Sequence, residues 1–176
     1  NTPAARQAFR KHIIDSPAVS FEGPESPMPH SETGVSDTLG ISLRPEYPVY
    51  STQTSKASFV LINQSNRNIM CGEEYCITYE DEQGIWRKLP TDNIFFSVGY
   101  LVQPGEYRIR TASLYPEMYP NKPGRYRFLY HLTLLDTRTR IQMMTEFRLS
   151  NDEKEWKQTK KLEIPIHLTI TQNSDN

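Results

Sequence analysis

From Gly40 onward, apolar and polar residues alternate with period two in short runs bounded by Pro, Gly, Asn and Asp, the pattern of strands and turns. Ile41-Ser42-Leu43 alternates, and the Pro45 to Pro48 stretch through Tyr47 and Tyr50 suits a sheet edge. Phe59-Val60-Leu61-Ile62 predicts a buried strand ending at the polar turn 63–66. Tyr75, Ile77 and Tyr79 alternate with Cys76, Thr78 and Glu80, and the Asp81-Glu82-Gln83-Gly84 loop returns the chain through Trp86 and Leu89 as a hairpin. A strand over Ile94 to Val102 turns at Gln103-Pro104-Gly105-Glu106 into Tyr107, Ile109 and Thr111. The clearest strand places Tyr126, Phe128, Tyr130, Leu132 and Leu134 on one face and Arg125, Arg127 and His131 on the other. Ile141 to Leu149 follows. Strands at a spacing of roughly ten residues predict an all-β sandwich.

Both ends depart from this pattern. Thr2 to Ile14 predicts a short helix with Pro3 at its first position and Ala5, Phe9 and Ile13 on one face. Residues 16–39 read as a Pro- and Ser-rich linker, which gains order only by lying across the domain or a neighbour. At the other end Leu162, Ile164, Ile166, Leu168 and Ile170 alternate without a miss. They predict an edge strand, because Pro165 cannot donate a ladder hydrogen bond, with its aliphatic face on a core or on a second copy. The polar run 151–161 is a helical turn or a long hairpin. The expected organisation is an arm over 1–38, a sandwich over 39–150, and a polar connection with an edge strand over 151–176.

Composition narrows the function classes. Twenty Lys+Arg against twenty-one Asp+Glu give a formal charge of -1, without the positive field that nucleic-acid binding uses. No run reaches the roughly 20 apolar residues of a membrane helix, so no transmembrane segment is expected. A chain of 176 residues buries enough surface for one core without metals or disulfides.

Candidate chemistry is sparse. Cys71 and Cys76 form a disulfide only if the chain bends at Gly72, since a straight strand would hold them nearly 16 Å apart. Two free thiols and a metal or redox role are the alternatives. His12, His30, His131 and His167 lack metal-ligand spacing and read as surface or interface residues. No nucleophile elbow, phosphate loop or zinc-protease motif is present, so no catalytic residue, cofactor or metal is assigned. Carboxylates around Asp81 lack the spacing of a calcium loop. Arg108, Arg110, Arg125 and Arg127, read as outward-facing, form either a basic stripe or cross-strand pairs with acids such as Glu146. Tyr115, Met118 and Tyr119 in one aromatic loop, and Trp86 after the hairpin, are either packing groups or a binding surface.

Three segments carry a resemblance. They are Val60 to Ser65, the run Gly72 to Pro90 with its Tyr75, its Asp81 to Gly84 turn and its Trp86 return, and Leu101 to Glu106 followed by Pro123-Gly124-Arg125-Tyr126-Arg127. Over residues 39–149 the chain resembles the bacterial immunoglobulin-like domain family. The resemblance implies an immunoglobulin-like sandwich that is non-catalytic and extracytoplasmic, in the periplasm or on the cell surface. Tyr126, just after a Pro-Gly turn, then stands where such sandwiches carry a tyrosine corner. The expected function is an interaction or scaffold module for a protein or glycan of the cell envelope, tethered as a lipoprotein upstream of Asn1. A carbohydrate-binding accessory domain is the alternative.

Overall fold

The structure is a computed structural model that describes residues 3–12, 29–89, 95–117 and 119–171. A helix, α1 (Pro3–His12), precedes strands β1 (Asp37–Thr38), β2 (Ile41–Pro45), β3 (Val49–Ser51), β4 (Lys56–Asn63), β5 (Ile69–Glu80) and β6 (Trp86–Lys88). Then follow β7 (Tyr100–Val102), β8 (Glu106–Ser113), β9 (Gly124–Leu134), β10 (Arg140–Ser150), helix α2 (Glu153–Lys157) and β11 (Thr169–Ile170). One sheet runs β1-β2-β4-β8-β11; the other runs β3-β10-β9-β5-β6, with β7 also on β5. Among the described residues, no helix is long and apolar enough to cross a membrane.

The two sheets meet where alternation placed the apolar faces. Tyr126, Phe128, Tyr130, Leu132 and Leu134 of β9 are buried in the core with Ile77 and Tyr79 of β5, Met143 and Phe147 of β10, and Phe59 and Leu61 of β4. Phe59 and Phe128 stack between the sheets, centroids 3.9 Å apart and planes within 4°.

The long strand expected over 94–102 begins only at Tyr100. The Val98 N–H donates to the Phe96 carbonyl at 2.8 Å, a three-residue turn that breaks the extended path and leaves Phe96 exposed. The C-terminal segment also differs. The polar run contains α2, capped by the Asp152 side chain accepting from the Lys154 N–H. Beyond it, Leu162 donates to the Glu46 carbonyl, and Leu168 donates back to Pro165, closing a turn inside the predicted strand. Only Thr169 and Ile170 pair, in parallel with Glu106 and Tyr107 of β8. Ile166 is fully exposed and Ile170 is 48% exposed, so the five aliphatic side chains do not form one buried face.

Candidate interaction face

On β9 the outward positions are polar except one: Leu129 stands between Arg127 and His131 and is only 2% exposed. Its cross-strand partners are Met144 on β10 and Cys76 on β5, so three non-ionic side chains form a row across the outer face of the six-stranded sheet. Thr78, outward on β5, is fully buried with its hydroxyl lacking a hydrogen-bond partner. This burial coincides with the passage of residues 29–35 over the sheet. Val35 bridges Met143, donating to the Gln142 carbonyl (3.2 Å) and accepting from the Met144 N–H (2.9 Å). His30 donates to the Trp86 carbonyl on β6, the opposite edge, at 2.8 Å. Gly34 makes the close approach possible: a Cβ there would lie 2.6 Å from the Gln142 carbonyl oxygen and 2.9 Å from the Met144 Cβ. The arm's last part is therefore a strap.

Beneath and beside the strap lies a cleft of about 730 Å³, lined by His30, Glu32, Cys76, Lys88, His131 and Arg140 among others. The structure thus brings His30 and His131 together although they are a hundred residues apart. A polar chain links them: His30 Nε2 lies 3.6 Å from the Glu32 carboxylate, Gln142 Nε2 donates to Glu32 (3.2 Å), and Gln142 Oε1 meets His131 Nε2 at 3.1 Å. Among the described residues, Lys88 and Arg140 form no ion pair, and no group of His, Cys, Asp and Glu is arranged to hold a metal.

Toward the other end of the same face, Arg125 bonds Glu80 and Glu146, and Arg127 bonds Glu146. Arg127 also stacks on the Trp86 ring, 3.6 Å from its centroid. These two arginines are cross-strand partners of acids. Burial pushes the Glu146 carboxyl up, but both guanidiniums outweigh it and hold its pKa below the ordinary value. Arg108 and Arg110 are not outward-facing. Arg108 is buried with its guanidinium 3.3 Å from the Tyr100 ring centroid, and Arg110 donates to the Glu73 carbonyl. They share their side of β8 with buried Ala112, so period two points them between the sheets.

The hairpin that carries Trp86 rests on Asp81, whose carboxylate accepts from the Gln83 and Ile85 N–H groups and from Arg87. Arg87 first, and the backbone donors after it, hold the Asp81 carboxyl below its ordinary value. A depressed folded-state pKa contributes stability above the unfolded value of about 4, lost as pH falls through the folded value. Asp81→Asn is therefore expected to flatten the acid limb of urea midpoint against pH below about pH 4. An unchanged acid limb refutes the linkage.

Residues 37–154 match the model of the bacterial Ig-like domain. The chain belongs to this family. Among curated proteins, none matches it. Similar solved structures include a Bordetella pertussis protein described as ApaA, at 17% identity and TM-score 0.40, covering 64% of this chain and 93% of that one. An alkylpurine DNA glycosylase from Pseudomonas fluorescens, bound to DNA with an abasic site analogue, gives 16% and 0.35. A β-glucosidase from Erythrobacter marinus gives 15% and 0.34. Each of the latter two is covered over 62% of this chain, which spans only 30% and 16% of theirs. At these values they add nothing to the family assignment.

Within this Ig-like domain the residues singled out by sequence divide. Cys71 and Cys76 are free thiols. A β-bulge does fall between Cys71 and Tyr75, but it leaves Cys71 in the core and Cys76 on the cleft, on opposite faces of β5. Burial raises the pKa of both thiols. The Tyr126 hydroxyl donates to the Lys122 carbonyl at 2.8 Å and accepts from the Lys122 N–H, tying the strand start to the turn before it; burial pushes its pKa up to about 12. Tyr119 packs against the core, its hydroxyl 3.0 Å from that of Tyr79, and its N–H donates to the Tyr115 carbonyl. Tyr119 is thus built into the end of the sandwich, and Trp86 is half-buried under Arg127. Met118, Pro17 to Pro27 of the linker, Ile94, and Thr2, Ile13 and Ile14 of the expected helix lie outside the described residues. Of the two places expected for the 16–39 segment, across the domain or across a neighbour, its described part takes the first; which face it crosses was not read from the sequence, and Leu129 on a polar face was the signal.

Proposed function

We propose that this Ig-like domain is a non-catalytic interaction module of the bacterial cell envelope, and that its recognition surface is the outer face of the six-stranded sheet under the strap. Family membership supports the non-catalytic part, since Ig-like modules work by presenting surfaces. The observation that carries the choice of surface is the cleft beside buried Leu129 and half-buried Cys76, edged by Lys88 and Arg140 without ion-pair partners among the described residues. A sandwich needs no such structure on its solvent side. In this reading residues 1–38 are the arm, 39–150 the sandwich and 151–176 an appended tail, with Trp86 at the border of the surface.

Photo-crosslinking in the native cell tests it. A photoreactive residue at Arg140 is expected to give a discrete adduct in the envelope fraction, and one at exposed Thr111 of the other sheet is expected to give none. Equal labelling from both positions, or fractionation with the cytoplasm, overturns the reading.

A further inference from the structure

The strap is held lightly. Among the described residues, three backbone hydrogen bonds at its two ends and the Glu32–Gln142 contact fasten it, while Ser31, Glu32, Thr33 and Val35 are exposed. A segment so attached belongs to the low end of local stability and opens far more readily than the sandwich unfolds. Beneath it lies the cleft of about 730 Å³. The strap brings one acid to that cleft, Glu32, which accepts from Gln142 and lies near His30. From the sheet, Lys88, Arg140 and His131 face the same space, offset by Glu74 alone among the acids of the lining. With the strap lifted, its own Glu32 leaves and the cleft is net cationic.

We infer that the strap is a displaceable cover held in cis, and that it yields to an extended acidic peptide segment of a partner chain. The incoming segment takes the strap's backbone bonds to Gln142 and Met144 and sets its carboxylates against Lys88 and Arg140. The strap itself shows that an extended chain fits the face. The two cations that form no ion pair among the described residues argue for an occupant more acidic than the strap. This rests on the reading of the outer face as the recognition surface.

The experiment uses the full chain. Gly34→Ala places a methyl against the backbone of β10 and lifts the strap. Should that variant fold poorly, Glu32→Lys removes the contact to Gln142 and loosens the strap without pressing a side chain on the β10 backbone. Opening is read from maleimide labelling of Cys76, which lines the cleft, with core-buried Cys71 as internal reference. Binding is read by fluorescence anisotropy with three synthetic peptides: residues 29–36, the same peptide with Ser31 and Thr33 replaced by Asp, and a neutral one with Glu32→Gln. The expected result in either variant is about tenfold faster Cys76 labelling and at least about tenfold tighter binding of the acidic peptide than of the neutral one, lost on adding Lys88→Glu and Arg140→Glu. Unchanged labelling in both variants overturns the displaceable cover. Faster labelling with equal affinity for all three peptides overturns the acidic occupant, while the Arg140 crosslink can still stand. Tightest binding by the unmodified 29–36 peptide assigns the face to the strap of a second copy and overturns the acidic partner.

Discussion

Phe128→Ala is expected to destabilise the domain by about 4 kcal/mol, the cost typical of truncating a buried phenylalanine. Phe128 is fully buried and couples the two sheets at a single contact, stacked on Phe59 and near Tyr75 and Tyr130. Alanine removes the ring from a site flanked by β-sheet on both sides, which cannot collapse to refill the space as a loop would. The loss therefore combines the transfer free energy of the ring, the aromatic contacts and the cavity. Urea unfolding should show a lower midpoint with an unchanged slope, since the surface exposed on unfolding is nearly the same. Phe128→Leu should recover about half of the loss by filling most of the volume without the stack. Arg125→Ala on the outward face of the same strand should lower the midpoint far less, because its ion pairs are exposed and screened by solvent. A Phe128→Ala loss no larger than that of Arg125→Ala would mean that the stack does not hold the sheets together.

The same strand shows how much was legible in the sequence. Period two in β9 separated inward Tyr126, Phe128 and Tyr130 from outward Arg125 and Arg127, because one face of a sandwich strand must be dry. It failed on β8, where Arg108 and Arg110 turn inward. Long aliphatic stems let arginine run beneath aromatic rings at the open side of a sandwich, and composition alone reads such residues as exposed. Alternation in 162–170 was equally regular, yet a strand also needs a free edge. The turn from Pro165 to Leu168 leaves only two residues to meet β8. The cleft was the least legible feature. It joins Glu32 to Gln142 and His30 to His131, pairs separated by about a hundred residues, and no local period encodes such contacts.

Asn63→Ala is expected to cost about 3 kcal/mol, unusually large for a polar residue at a strand end. The side chain is fully buried and saturated. Its Nδ2 donates to the Arg67 carbonyl at 2.8 Å and to the Val102 carbonyl at 3.0 Å, while Oδ1 accepts from the Ser65 N–H and hydroxyl. It thereby shapes the 63–67 turn and joins β4 of one sheet to β7 of the other. Alanine leaves the buried Val102 carbonyl without a donor and takes the amide from the part-buried Arg67 carbonyl and Ser65 N–H; each unsatisfied buried group costs on the order of 1–3 kcal/mol, less than additively because water can enter the space left. Asn63→Asp separates hydrogen bonding from volume. A carboxylate cannot donate to the Arg67 and Val102 carbonyls, so this isosteric change should be at least as damaging as alanine at neutral pH. Facing two carbonyl oxygens in a buried site raises the folded-state pKa of the introduced carboxyl, so its protonated form is favoured on folding. The Asn63→Asp deficit should then shrink as pH falls toward about 4, whereas that of Asn63→Ala stays flat. Urea midpoints for the two variants across that range decide the matter: parallel pH profiles would show that Asn63 fills space and does not act through its donated hydrogen bonds.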